Sequence, residues 1–164
     1  MNLRERLGYR GWCKMRRMYQ HILVPIDGSD TSNRGLDEAI RLAKLTGATL
    51  RLIHMVDKLS FATGYGGYAG DVAGVLKSAG NEVLTQGKTR AEAAGVAAEV
   101  ALFETMQRRL ADVVVDEIGT WPADLVVVGT HGRRGIGRWV LGSDAEQILR
   151  SSPVPVLLVR PPAD

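Results

Sequence analysis

Leu125-Val-Val-Val-Gly129 carries the clearest structural signal in the chain. Its apolar residues run on without a polar break, as in a strand buried on both faces, and such strands belong to parallel sheets covered by helices. Working outward, Ser143 opens a short helix through Arg150, and Val154-Pro-Val-Leu-Leu-Val159 reads as the last strand. Upstream, Met106, Leu110, Val114 and Ile118 keep helical spacing in a segment closed by Gly119 and Pro122, and Ala98–Thr105 reads as a strand. A longer helix is expected from Val72 to Ala94, with Val72, Leu76, Ala79 and Val83 on one face. Residues 57–71, rich in Gly and Tyr, read as a loop.

Thr49–Val56 alternates like a strand, and before it Leu36, Ile40 and Ala43 mark a helix capped by Asp30 or Thr31 and ended by Gly47. The first strand pattern is His21-Ile-Leu-Val-Pro-Ile-Asp27, stopped by Asp-Gly. The alternation βαβαβαβαβ predicts an α/β fold: one parallel sheet with right-handed crossovers and helices on both faces. Ligands of such sheets bind beyond the carboxyl ends of the strands, where the strand order reverses. With the first strand central, Asp27 and Gly129 flank that crevice.

The chain has 164 residues, 45% apolar and 24% charged, which suits one folded domain and excludes wholesale disorder. One cysteine, Cys13, excludes a disulfide framework and a cysteine-based zinc site. The formal charge of +3 raises the question of nucleic acid, but it is unevenly spread. Residues 1–17 hold six basic residues and one acid, so the other 147 carry a net −2. The basic character belongs to a leader, expected to be disordered or to precede the true start at Met18, with a basic arm or a targeting segment as the other readings. The domain proper is taken as 18–164, with no nucleic-acid face. No apolar run is long enough to span a membrane.

Two motifs are decoys. Gly87-Lys88-Thr89 resembles the tail of a phosphate-binding P-loop, but Glu82 stands where its first glycine belongs. Gly64-x-Gly66-x-x-Ala69 is not led into by a strand of the required kind. His21, His54 and His131 lack metal-ligand spacing, and His21 and His54 read as structural.

The informative segment runs from Gly129 to Ser143, GTHGRRGIGRWVLGS. Its glycines let backbone fold closely around a small group, and Ser143-Asp-Ala-Glu146 has the spacing of a capping box at a helix start. A helix N-terminus attracts anions, and Arg133, Arg134 and Arg138 add cations where no acid intervenes. The chemistry suits phosphates; a flexible surface loop with a routine cap is the plainer alternative.

Gly129-x2-Gly132-x9-Gly142-Ser143 resembles the nucleotide motif of the universal stress protein family, and residues 22–29 and 154–159 resemble its first and last strands. The resemblance covers about 18–160 and implies a Rossmann-like sheet of order 3-2-1-4-5, similar to the adenine nucleotide alpha hydrolases. It implies binding of ATP or AMP. Asp27 would engage the ribose or adenine side, Pro25 and Ile26 would line the base pocket, and Met55 would contact adenine. Gly129 and Gly132, with His131 and Arg133 beside them, would approach ribose and phosphates, and Gly142 and Ser143 would hold the phosphate tail.

Asp144 departs from the small or β-branched residue that the family commonly places there. Its charge would repel a terminal phosphate unless a metal ion such as Mg bridges the two. The resemblance also implies a cytoplasmic homodimer, joined through the Val154–Val159 edge strand. With no arranged nucleophile or acid–base pair, the first expectation is a binding module for stress response or signalling. A slow ATPase or autophosphorylating enzyme, with Ser143 or a loop Ser or Thr as acceptor, and a nucleotide-free dimeric adaptor are the alternatives.

Overall fold

The computed structural model describes residues 18–57, 69–130 and 141–160, with the side chains of 69–73 left aside. The leader, the Gly/Tyr-rich segment 58–68, residues 131–140 and the last four residues lie outside the described residues. Among the predicted contacts, His131, Gly132 and Arg133 fall there, with Arg134 and Arg138.

Among the described residues nine elements alternate as expected: β1 (His21–Pro25), α1 (Asp30–Thr46), β2 (Thr49–Asp57), α2 (Ala69–Ala93), β3 (Ala98–Thr105), α3 (Leu110–Thr120), β4 (Leu125–Gly129), α4 (Ser143–Ser151) and β5 (Val156–Val159). The strands form one sheet in the order β3-β2-β1-β4-β5, every pair parallel. All five residues of β4 are buried, as its unbroken apolar run requires.

Alternate side chains of each inner strand enter opposite cores. Ile22, Val24, Leu50, Leu52 and Val127 pack with Leu36 and Ile40 of α1 and Leu84 and Ala91 of α2. Leu23, Ile53, Val126 and Val128 pack on the other face with Val113 and Val114 of α3 and Ile148 of α4. A fully buried side chain such as Leu23 contributes about 1.5–3 kcal/mol by leaving water. These two layers hold the carboxyl ends of β1 and β4 side by side.

Several boundaries differ from expectation for local reasons. Ser29, not Asp30 or Thr31, caps α1, because Gly28 turns at φ 80° and leaves Ser29 extended, its Oγ accepting from the Ser32 N–H at 3.3 Å. Of the expected loop 57–71, Asp57 belongs to β2 and Ala69 to Asp71 belong to α2; the residues between lie outside the described residues. The buried stripe of α2 is Gly80, Leu84, Gly87 and Ala91, whereas Ala79 is exposed. A Cβ at Gly80 would lie 2.8 Å from His54 Cδ2 and from Leu102 Cδ1, and one at Gly87 would lie 2.8 Å from Ile26 Cδ1. The glycine of the decoy Gly-Lys-Thr is therefore a packing residue that lets a helix sit close on the sheet.

Met106 precedes α3 and is exposed, cut off by Gln107 at φ 62°; Gly119 lies inside that helix, which ends at Thr120. Strand β5 starts at Val156, after Pro153 and Pro155, which have no N–H to pair.

Candidate functional site

The β1–α1 turn is built from short side chains that clamp backbone. Pro25 is the last residue of β1, and one residue on the Ile26 N–H donates to the Ile53 carbonyl at 2.8 Å. The Ile26 carbonyl accepts from His54 Nδ1 at 2.7 Å. The Asp27 N–H donates to Ser32 Oγ at 3.0 Å, and Asp27 Oδ1 accepts from the Ser29 N–H at 2.9 Å. Asp27 thus closes an Asx turn, half-buried at the positive end of α1, where a carboxylate is favoured.

At the end of β4, Gly129 approaches the α1 backbone closely. A Cβ there would lie 2.5 Å from the Thr31 carbonyl oxygen and 3.1 Å from the Ser32 nitrogen. No side chain fits, so this glycine of the motif is required by packing whatever else it touches. Next, the Thr130 N–H donates to the Val159 carbonyl at 3.0 Å, and the Gly142 N–H donates to the Thr130 carbonyl at 2.8 Å. The Thr130 carbonyl and the Gly142 N–H thus hold the end of β4 beside the start of α4.

Helix α4 begins one residue earlier than a Ser143 cap would place it. Gly142 is the N-cap, at φ −60° and ψ 145°, with no side-chain cap bond. Ser143 is the first helical residue, and the Glu146 carboxylate meets Arg150 at 2.8 Å instead of closing a capping box. A glycine cap leaves the first-turn N–H groups without the side-chain oxygen that Ser or Asp would supply there. Ser143 and Asp144 are exposed beside them.

The three other predicted residues, Pro25, Ile26 and Met55, sit differently from one another. Ile26 is 5% exposed and its side chain belongs to the α1/α2 core, so what it presents to the crevice is backbone. Pro25 is buried as well. Met55, paired in register with Phe103, is half-buried on the α3/α4 side. The structure thus brings Pro25, Ile26, Asp27, Met55, Gly129, Gly142, Ser143 and Asp144 to the carboxyl edge of β1, β2 and β4. A cavity of about 120 Å³ beside α1 and α2, lined by Gly28, Asn33, Val83, Gln86 and Arg90 among others, includes none of the predicted contacts.

Ser29, Ser32, Thr130 and the role of His54 emerge only from the structure. The i, i+3 spacing of Ser29 and Ser32 after Asp-Gly was a usable signal for the first two; Thr130 acts through its backbone and leaves none. His21 is structural at the opposite edge, its ring edge-on to Trp121 at 5.2 Å and 89°. Asp124 also lies there, accepting from the Gln20 and His21 N–H groups at 2.7 and 3.0 Å. Among the described residues no group of three or more His, Cys, Asp or Glu could hold a metal ion.

Comparison with known proteins adds a family. The sequence model of the universal stress protein family matches residues 18–160. Universal stress protein MJ0531 of Methanocaldococcus jannaschii is 34% identical over 150 residues, covering 88% of this chain and 84% of the relative. A solved protein of the same family from Burkholderia pseudomallei is 32% identical with a TM-score of 0.71, covering 87% of this chain and 96% of that one. A universal stress protein solved in complex with cAMP is 26% identical with a TM-score of 0.60, covering 87% and 98%.

Proposed function

The chain belongs to the universal stress protein family, and on that footing we propose that it is an adenine-nucleotide-binding module of stress response or signalling. The observation that carries the proposal is the Gly142–Thr130 hydrogen bond, which sets the start of α4 beside the end of β4. The close approach of Gly129 to Thr31 then sets the Asp27 turn against the same edge. The cAMP complex of a relative supports a nucleotide of this class.

In this reading the Asp27 carboxylate accepts from ribose hydroxyls, and main chain at Pro25, Ile26 and Met55 edges the base. Phosphate oxygens accept from the first N–H groups of α4 and from the Ser143 hydroxyl, where the helix dipole favours negative charge. Gly132, His131 and Arg133, outside the described residues, are assigned to the ribose and phosphates by the family motif alone. ATP and AMP are the candidate ligands. A single exposed carboxylate, Asp144, does not make a resident metal site, but it fits one ligand of a Mg ion carried in by ATP, the others being phosphate oxygens and water.

Binding rather than turnover is the reading favoured here, because phosphoryl transfer needs an oriented nucleophile. Asp27, with Oδ1 held by the Ser29 N–H, stands in this reading at the ribose and not at a transferring phosphate, and Asp124 sits at the far edge of the sheet. Two copies would join through the β5 edge, whose apolar Leu157 is 37% exposed. Among the described residues no helix is long and apolar enough to cross a membrane, and a cytoplasmic setting suits a sensor of adenine nucleotides.

The test is to denature the purified protein and identify released nucleotide by mass spectrometry. Release of an adenine nucleotide supports the proposal. A protein that releases none and binds none on titration overturns it in favour of a nucleotide-free adaptor.

A further inference from the structure

His54 lies on β2 immediately before Met55, and it is 8% exposed. Its Nδ1 is 2.7 Å from the Ile26 carbonyl. A carbonyl has no proton to give, so Nδ1 carries the hydrogen and donates it. The ring is held from behind by α2, where even a Cβ on Gly80 would crowd Cδ2 at 2.8 Å.

The position of this bond matters because of the β1–β2 ladder. The strands run in parallel register to Pro25–Ile53, and the Ile26 N–H continues the pattern by donating to Ile53. The next bond of a parallel ladder would run from the Met55 N–H to the Ile26 carbonyl. That carbonyl's partner is instead the His54 ring.

We propose that His54 is a positioning residue: by taking the Ile26 carbonyl it stops the β1–β2 ladder one bond short and leaves the Met55 N–H to the base of the bound nucleotide. The same bond holds the main chain immediately before Asp27, so one imidazole sets the base-side amide and the ribose-side carboxylate together. The inference rests on the nucleotide-binding reading above and adds to it a residue that touches no ligand itself. It also explains a buried polar ring on a helix–sheet contact where an apolar residue would otherwise pack at less cost.

The test compares two amides of similar bulk. The nitrogen of Asn falls near the place of Nδ1, whereas that of Gln reaches past it. His54→Asn is expected to keep AMP affinity within about threefold, and His54→Gln to lose at least about tenfold, the scale of one hydrogen bond. Because the Met55 N–H can take up the vacated carbonyl, His54→Gln is expected to keep its melting temperature and to slow hydrogen exchange at the Met55 amide in nucleotide-free protein. A merely structural histidine would lower stability and leave that amide unchanged.

Equal AMP affinities in the two variants and wild type, or a Met55 amide already protected in wild type, overturn the inference and leave the nucleotide-binding reading standing. Wild-type protein with no affinity for AMP or ATP overturns that reading and this inference with it. Should His54→Gln fail to fold, the exchange rate of the wild-type Met55 amide decides alone: fast exchange supports the inference and protection overturns it.

Discussion

Gly129 stands so close to Thr31 that a single added carbon would lie 2.5 Å from the Thr31 carbonyl oxygen. The atom in the way is backbone of the first turn of α1, which is tied to the Asp27 turn by Ser29 and Ser32. Relief would require the helix to move. Gly129 therefore joins the two halves of the proposed crevice before any ligand arrives, and replacing it is a stability experiment first.

Gly129→Ala is expected to destabilise the fold by about 1–3 kcal/mol, the range for an overpacked contact. Urea unfolding followed by circular dichroism measures this. An unchanged midpoint would mean that α1 yields freely and that the contact does not set the crevice.

Asp144→Ala removes an exposed carboxylate from the first turn of α4. It loses at most about 1 kcal/mol of helix-dipole stabilisation. In metal-free buffer it is expected to tighten ATP relative to AMP, since the added phosphates bring the repulsion. Titration calorimetry of both nucleotides checks the ratio, and a ratio equal to that of wild type removes Asp144 from the phosphate environment.

At the opposite edge, Arg51 Nε meets Glu117 Oε1 at 2.5 Å, while its Nη1 meets Glu99 at 2.7 Å. Glu117 is 5% exposed, so Arg51→Ala strands a buried carboxylate. A loss of about 3–5 kcal/mol is expected, the range for a buried pair broken on one side. Nucleotide affinity should be unchanged in whatever protein stays folded, because this network sits at the amino ends of the strands. Weakened binding in a folded variant would show the two edges to be coupled.

Leu157→Arg places a charge in the exposed edge strand β5. Light scattering is expected to find a dimer for wild type and a monomer for the variant. A persistent dimer would put the interface elsewhere.

Most of the fold is legible in the sequence, because apolar runs such as 125–129 and the β-branched first strand admit few other readings. The face of α2 is not, since its buried stripe is half glycine, and hydrophobic periodicity counts glycine as nothing. The caps of α1 and α4 come earlier than expected for a related reason: Gly28 turns the chain so that Ser29, ahead of Asp30 and Thr31, is the cap, and Gly142 itself caps α4 ahead of Ser143.

The crevice is half legible. Asp27 and the motif glycines stand out by type and spacing, whereas the main-chain bonds at Thr130 and Ile26 leave no mark on composition. His54 looks structural in sequence because its partner is a carbonyl from another strand.

The most direct measurement is a calorimetric titration of wild type and Gly142→Val with ATP and AMP. Gly142 has φ −60° and ψ 145°, a backbone that valine adopts without strain, so the variant should keep its far-UV circular dichroism. Wild type is expected to bind saturably, one nucleotide per chain, and the variant to lose that binding as the valine side chain crowds the proposed phosphate site at the start of α4. Undiminished affinity in a folded Gly142→Val, or no affinity of wild type for either nucleotide, would contradict this expectation.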